Sequence, residues 1–133
     1  MEKFAVQTHS SDEFIDITAE VQRVVMESGI QEGFVIVYVP HTTAGVTINE
    51  NADPDVVHDI LSDLKRLVPE KQPYYRHFEG NSASHMKASL VGASVSIPMV
   101  SGSMALGRWQ GIYFCEFDGP RRRTYSVSIC KNG

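Results

Sequence analysis

Three of the five histidines sit where chemistry could be done. His41 follows the apolar run FVIVYV, His77 lies in a polar loop-like stretch, and His85 opens a short helical segment. Each falls at an element boundary rather than within a hydrophobic face. Three neutral imidazoles converging on one point would suit zinc or a similar borderline divalent ion. Imidazole also works as a general acid or base near neutral pH without any metal. The spacing His77-x7-His85 is no named metal motif, and His41 is distant in sequence, so ordinary loop hydrogen bonding is the competing reading. His9, in a polar strand end, and His58, beside a helix's apolar stripe, read as structural or solvated.

Other polar groups gather near these histidines in sequence. Thr42 and Thr43 follow His41 and could cap a turn or hold a polar substrate. Asn49 and Glu50 precede a strand-to-helix junction. There they could orient a histidine or hold a hard cation such as magnesium. Asn51 and Asp53 read as helix caps. Asn81 lies in GNSAS, just before the His85 helix, where backbone N–H groups could meet an anion. Lys87 is the nearby cation, and Arg121-Arg122-Arg123 opens the last strand. Alternation puts Arg121 and Arg123 on one face, with Arg122 opposite, so at most two serve one phosphate.

The elements that must position these groups follow from period and punctuation. FAVQTHS is strand-like. Ile17, Val21, Val24 and Val25 then fall on one helical face, with Thr18 as N-cap and Gly29 as stop. FVIVYV, between Gly33 and Pro40, reads as a strand covered on both faces. AGVTINE alternates as a half-buried strand, Val46 and Ile48 inward. DPDVVHDILSDLKRLVP is the clearest helix, capped by Asp53 with Pro54 at its first position. Its apolar stripe is Val57, Ile60, Leu61, Leu64 and Val68. A loop-like stretch leads to a helix capped by Ser82 or Ser84 and ended by Gly92. ASVSIPMV is a strand ending at Pro98, SGSMALG a turn, and RWQGIYFCEFD and RRRTYSVSIC two long strands. Trp109, inside one of these strands, is expected in a core or interface. Helices do not alternate strictly with strands, which points to a layered α+β domain, with strands enough for a sandwich.

Composition bounds the function. The chain has 133 residues and a net charge of −4, which suits one domain over residues 1–133. Net acidity argues against general binding to nucleic acid or anionic membranes. Cys115 and Cys130 lie in apolar segments without a CxxC partner, which favours buried thiols in a reducing, cytoplasmic setting. The N-terminal stretch has no apolar signal-peptide region, and FVIVYV is too short to span a bilayer. No GxSxG, HExxH or GxGxxG signature is present.

With these residues in view, the sequence resembles the YjbQ-like family. The resemblance rests on HTTAGVTINENADPDV (41–56), YRHFEGNSASHMKASLVG (75–92) and IPMVSGSMALGRWQGIYFCEFDGPRRR (97–123). It implies an α+β fold with a seven-stranded, two-sheet β-sandwich and flanking helices. It implies a cytoplasmic homotrimer with its sheets packed around the three-fold axis. It also implies a pocket using His41, His77 and His85, with Asn49 and Glu50 close by, and a weak, secondary thiamine-phosphate synthase activity. That reaction joins a pyrimidine pyrophosphate to a thiazole phosphate and needs cationic help for the leaving group, usually magnesium with Arg or Lys.

The expectation is thus a small-molecule enzyme taking a phosphorylated or anionic ligand. His41, His77 and His85 are its catalytic and metal-binding residues, with Glu50 as a further catalytic group. Thr42, Thr43, Asn49, Asn81, Lys87, Arg121 and Arg123 are its substrate-binding residues. The rival is a non-enzymatic metal- or ligand-binding trimer.

Overall fold

A computed structural model describes residues 1–133. Strand β1 (Glu2–Gln7) and the short β2 (Glu13–Asp16) lead into helix α1 (Thr18–Glu27). Strands β3 (Gly33–Tyr38) and β4 (Ala44–Glu50) follow, then helices α2 (Pro54–Leu67) and α3 (Ser82–Val91). The chain ends in β5 (Ser94–Val100), β6 (Ser103–Met104), β7 (Gln110–Glu116) and β8 (Arg122–Lys131).

The helix ends show local chemistry at work. In α2 the Asp53 carboxylate accepts the Asp55 N–H at 2.9 Å and Pro54 takes the first position, as the sequence predicts. In α1 the capping differs. Thr18 is already helical, and Asp16 accepts both its N–H and its hydroxyl, at 2.9 and 2.6 Å. Asn81, not Ser82 or Ser84, precedes α3, because Ser84 spends its hydroxyl on the Phe117 carbonyl at 2.6 Å.

The strands form two sheets. One has five strands in the order β1-β8-β3-β5-β6, and the other three in the order β2-β7-β4. Their inner faces enclose the main core. Val35, Val37, Ile97, Met99, Tyr125 and Val127 come from the larger sheet, and Ala44, Val46, Ile112 and Phe114 from the smaller. Helix α1 closes this core with Ile17, Val21, Val24 and Val25, the four residues its period selects. Each fully buried valine removed from water contributes about 1.5–3 kcal/mol, an upper bound for a real unfolded chain. A second, smaller cluster joins Tyr113, Cys115 and Phe117 to Ala88 of α3 and Val57 and Leu64 of α2. The layers are therefore large sheet, core with α1, small sheet, and the α2–α3 layer.

The structure corrects the sequence reading of the strands in four places. There are eight strands rather than seven. β2 has four residues and β6 only two, too few to show a period against the neighbouring helix and turn. β5 runs through Pro98, opposite Phe34, to Val100. Pro is tolerated because β6 leaves that side of the sheet nearly an edge. Strand β3 is covered on one face only. Val35 and Val37 are fully buried, whereas Phe34 and Tyr38 are exposed. Trp109 is also exposed, because it lies just before β7, with the Arg108 guanidinium 4.9 Å from its ring centre. No helix is long and apolar enough to cross a membrane.

One close approach sets the position of α3. A Cβ on Gly45 of β4 would lie 2.5 Å from the Gly92 carbonyl oxygen, which itself accepts the Val46 N–H at 3.0 Å. Only glycine lets the end of α3 lie against β4. Gly45→Ala should lower stability by about 1–3 kcal/mol through overpacking. Urea unfolding followed by circular dichroism reads this as a lower midpoint. An unchanged midpoint would show that the α3–β4 contact is looser than described.

Candidate functional site at the polar end of the sandwich

Four segments meet at one end of the two sheets. They are the β1–β2 connection with Thr8 and Asp12, the β3–β4 connection with His41 to Thr43, the start of α3, and the β7–β8 connection. At their centre Arg123 of β8 meets Glu116 of β7, 4% and 0% exposed. Arg123 Nε donates to Glu116 Oε1 at 2.8 Å, and its Nη2 donates to Glu116 Oε2 and to Thr43 Oγ1, the latter at 2.8 Å. The Thr8 hydroxyl donates to Glu116 Oε1 at 2.8 Å, and the Phe117 and Asp118 N–H groups donate to Oε2 at 3.0 and 2.9 Å. Burial alone would raise the Glu116 pKa. The bonds from Arg123, the Asp118 N–H and Thr8, together with the Arg123 charge, outweigh it and hold the carboxyl below its ordinary value.

Asp118 is the next link outward. Its Oδ2 accepts from Asn81 Nδ2 at 2.9 Å and from Arg121 Nη2 at 3.0 Å, while its carbonyl accepts from Arg121 Nε at 2.9 Å. It thereby ties the start of α3 to the half-exposed Arg121. Asn81 Oδ1 is left buried without a partner. Lys87, almost buried, is ion-paired to Asp12 and lies 5.5 Å from the centre of the Phe117 ring.

His41 stands over this network. Its Nε2 accepts the Thr124 N–H at 3.0 Å and lies 3.1 Å from the Thr124 carbonyl. Accepting that N–H requires a lone pair on Nε2, so the neutral ring carries its proton on Nδ1. Burial lowers the His41 pKa first, and the Arg123 charge lowers it further. The Thr124 carbonyl and Glu116 oppose this without reversing it, and Arg121 adds to the lowering. At neutral pH His41 is therefore neutral and offers Nδ1–H as a donor.

Of the predicted residues, the fold brings together Thr43, Asn81, Lys87, Arg121, Arg123 and His41. His77 and His85 join by way of Asn81. The His85 N–H bonds to the Asn81 carbonyl, and the two imidazole rings lie edge to face with centres 5.4 Å apart. His77 Nε2 also lies 3.6 Å from Glu79 Oε1. Thr42 is exposed beside His41.

Several expectations fail within the chain. Glu50 and Asn49 do not approach the histidines. Ala44 pairs with Glu116 at the polar end, but Glu50 pairs with Gln110 at the other. At about 3.3 Å per residue the separation from Thr43 is roughly 23 Å. Arg123 and Lys87 cannot serve as free phosphate binders, because each is buried against its own carboxylate. Arg121 lies outside β8, so strand alternation does not pair it with Arg123. No group of three or more His, Cys, Asp or Glu is arranged to hold a metal ion, so one chain does not gather His41, His77 and His85 into a ligand set.

Sequence reasoning missed Glu116, Asp118, Asp12 and Thr8. The best available signal was Glu116 itself, a carboxylate inside the apolar run IYFCEF and seven residues before an arginine. A charge in such a run demands a partner.

The network should be felt on acidification. Both groups have folded pKa values below their unfolded ones, so the unfolded chain binds more protons as pH falls. Stability should begin to drop near the unfolded His41 value of 6.5 and drop again below the unfolded Glu116 value of 4.5. His41→Gln should remove the first phase only. Arg123→Ala, which strands a buried carboxylate, should cost about 3–5 kcal/mol at neutral pH. Urea midpoints across pH 4–8 test both claims, and an acid limb unchanged by His41→Gln would exclude the histidine as its source.

The fold recurs in known proteins. The family model described as UPF0047 protein YjbQ-like matches residues 2–132. The UPF0047 protein YugU of Bacillus subtilis is 52% identical over 124 residues, 93% of this chain and 94% of that protein. A UPF0047 protein of Methanocaldococcus jannaschii is 50% identical over 127 residues, 96% of this chain and 91% of that one. A crystal structure of a YjbQ/UPF0047 family protein from Clostridium acetobutylicum superposes with a TM-score of 0.95 at 52% identity, covering 98% of this chain and 100% of the other. A YbjQ-like protein of Sulfolobus solfataricus gives 0.94 at 31% identity, covering 98% and 96%. The fold, and a match that spans nearly the whole chain, make this protein a member of the YjbQ-like UPF0047 family.

Proposed function

We propose that the protein is a trimeric small-molecule enzyme whose site takes an anionic ligand at the polar end of the sandwich. One observation carries this reading: a single Asp118 oxygen holds both Asn81 and Arg121. Arg121 keeps Nη1 without a partner in the chain, His41 offers Nδ1–H, and the orphaned Asn81 Oδ1 calls for a donor from a ligand. Two donors and one acceptor suit a phosphate-bearing molecule with its own N–H or hydroxyl. The His77–His85 pair beside them can shuttle a proton.

The cation count bears on the reaction. Loss of pyrophosphate needs concentrated positive charge. Arg123 and Lys87 are already neutralised, and Arg121 is partly so. This supports thiamine-phosphate synthase activity as a slow, secondary reaction, with magnesium required to help the pyrophosphate leave. A zinc-type ion on His77 and His85 would need its remaining ligands from the substrate, water or a second chain. The rival reading, a binding module without turnover, is favoured by the same shortage of free cations.

Assembly belongs to this reading. The outer face of the five-stranded sheet shows Phe34, Tyr38 and Val100 exposed, with Ile36 half-buried between them. An apolar run that is covered on one face by its own chain suits cover by further copies on the other. In light scattering, Tyr38→Glu should convert a trimer to monomers, and a trimer that persists would place the interface elsewhere.

The ligand reading is tested by synthesis assays with the two thiamine precursors and by metal analysis. Arg121→Ala should raise the KM for the phosphorylated precursor about 10- to 100-fold, the value of a charge-assisted bond. His77→Ala and His85→Ala should abolish product while the trimer mass persists. If every variant turns over like the wild type, the site is wrong. If wild type and histidine variants carry equally little metal in metal-replete buffer, the metal proposal fails. Saturable ligand binding without product would establish the module instead.

A further inference from the structure

Exposed apolar side chains are unevenly spread over this molecule. Of the eleven large hydrophobic residues that stand exposed, five lie between residues 67 and 90. Leu67 at the end of α2 is 74% exposed, and Tyr74 and Phe78 in the following connection are 70% and 91% exposed. Met86 and Leu90, one helical turn apart on α3, complete the set. They are not scattered. Leu67, Tyr74 and Met86 line one groove of about 480 Å³, with Val68, Tyr75 and His85 as its further walls. Helix α2, which forms one side, has no fully buried residue along its 14 positions.

Charge around the groove runs against the whole. Residues 65–79 hold Lys65, Arg66, Lys71 and Arg76 against Glu70 and Glu79, a positive segment in a chain of net charge −4. Of the eight other cations, Arg23, Lys87, Arg121 and Arg123 each have a carboxylate partner, whereas Lys3, Arg108, Arg122 and Lys131 have none. The four cations near the groove have none: the chain's ion pairs involve other residues. Tyr, Phe, Met and Arg are the residues that anchor protein interfaces, and unpaired cations at a rim select the partner's sign.

We propose that the groove between α2, the 69–80 connection and α3 docks an acidic segment of a partner protein. That segment carries aromatic or aliphatic anchors at helical spacing. The anchors fill the space between Leu67, Tyr74 and Met86, and carboxylates meet Lys65, Arg66, Lys71 and Arg76. A concave groove whose walls mix Leu67, Val68 and Met86 with Tyr74 and Tyr75 fits such anchors better than it fits a flat lipid surface. This surface adjoins the ligand site, because His85 is both a wall of the groove and one of the His77–His85 pair, but its anchors Leu67, Tyr74 and Met86 and its four cations lie outside that pair.

The test is fluorescence anisotropy on the full chain with a labelled peptide of about 16 residues, Leu and Phe on one helical face and Glu on the other. Controls are the same peptide with Gln for Glu, oligo-dT, and phosphatidylserine vesicles. The acidic peptide should bind saturably, more weakly at high salt, and the Gln peptide should lose about tenfold in affinity. Tyr74→Ala and Met86→Ala, both at exposed positions that line the groove, should each weaken binding by about tenfold or more with unchanged thermal unfolding. Lys71→Glu with Arg76→Glu should weaken the acidic peptide but not the Gln peptide. Equal binding of both peptides, no saturable binding, or indifference to these substitutions overturns the proposal. So does tighter binding to oligo-dT or to vesicles, which would assign the surface to those partners.

Discussion

Arg123 and Glu116 are separated by one short connection, yet they belong to different sheets. Their ion pair is where the larger sheet is fastened to the smaller at the polar end. A buried pair of this kind gains little net stability, because desolvating two charges offsets most of their attraction. What it adds is direction. Glu116 accepts bonds from Arg123, Thr8 and two backbone N–H groups, and Arg123 also reaches Thr43. Leaving any of these unmade would strand a buried polar group at a cost of about 1–3 kcal/mol. The network therefore admits one arrangement of β1, β4, β7 and β8 at this end.

That fixed arrangement is what the outer groups depend on. Asp118 follows Glu116 by two residues, and its N–H is one of the bonds that hold the carboxylate. Its side chain then has a set position from which to hold Arg121 and Asn81. The same anchoring fixes Thr124, next to Arg123, whose N–H sets the His41 tautomer. The chain of cause runs from a desolvated ion pair to a loop, and from the loop to the protons of a histidine. A neutral imidazole whose Nε2 is already occupied is a poor general base but a good hydrogen-bond donor. The rings of His77 and His85 meet each other instead, joined to that network only through the backbone bond from His85 to Asn81.

Much of the fold was legible in the sequence because single faces carry it. The period of Ile17, Val21, Val24 and Val25 and the Asp53-Pro54 start of α2 mark their elements with purely local signals. β2 and β6 were not legible, since four and two residues are too few to establish a period. The site was half legible. Residue type singled out His41, Asn81, Arg121 and the His77–His85 pair. It could not tell a free cation from a spent one, because Asp12 is 75 residues from Lys87 and Glu116 meets Arg123 only across two different sheets. Nor could it show that β4 carries Glu50 away from His41, since closeness along a strand is distance in space.

The two apolar surfaces differ in a way that bears on their use. The outer face of the larger sheet presents Phe34, Tyr38, Pro98 and Val100 with serines between them, and Glu or Lys is missing from its middle strands β3 and β5. A face whose charges, Lys3 and Arg122, are confined to the flanking strands β1 and β8 has little at its middle to select a partner by, and it would suit permanent contact with copies of itself. The groove beside α2 and α3 is small and concave, and Arg66, Lys71 and Arg76, next in sequence to its lining residues, have no carboxylate partner. Its apolar area is limited, and its charges are screened by salt, which suits contact that forms and dissolves. The sandwich places these surfaces on opposite sides, one on the outer sheet face and one in the helical layer. An assembly that buried the first would leave the second facing out, so self-association and docking would not compete for the same side chains.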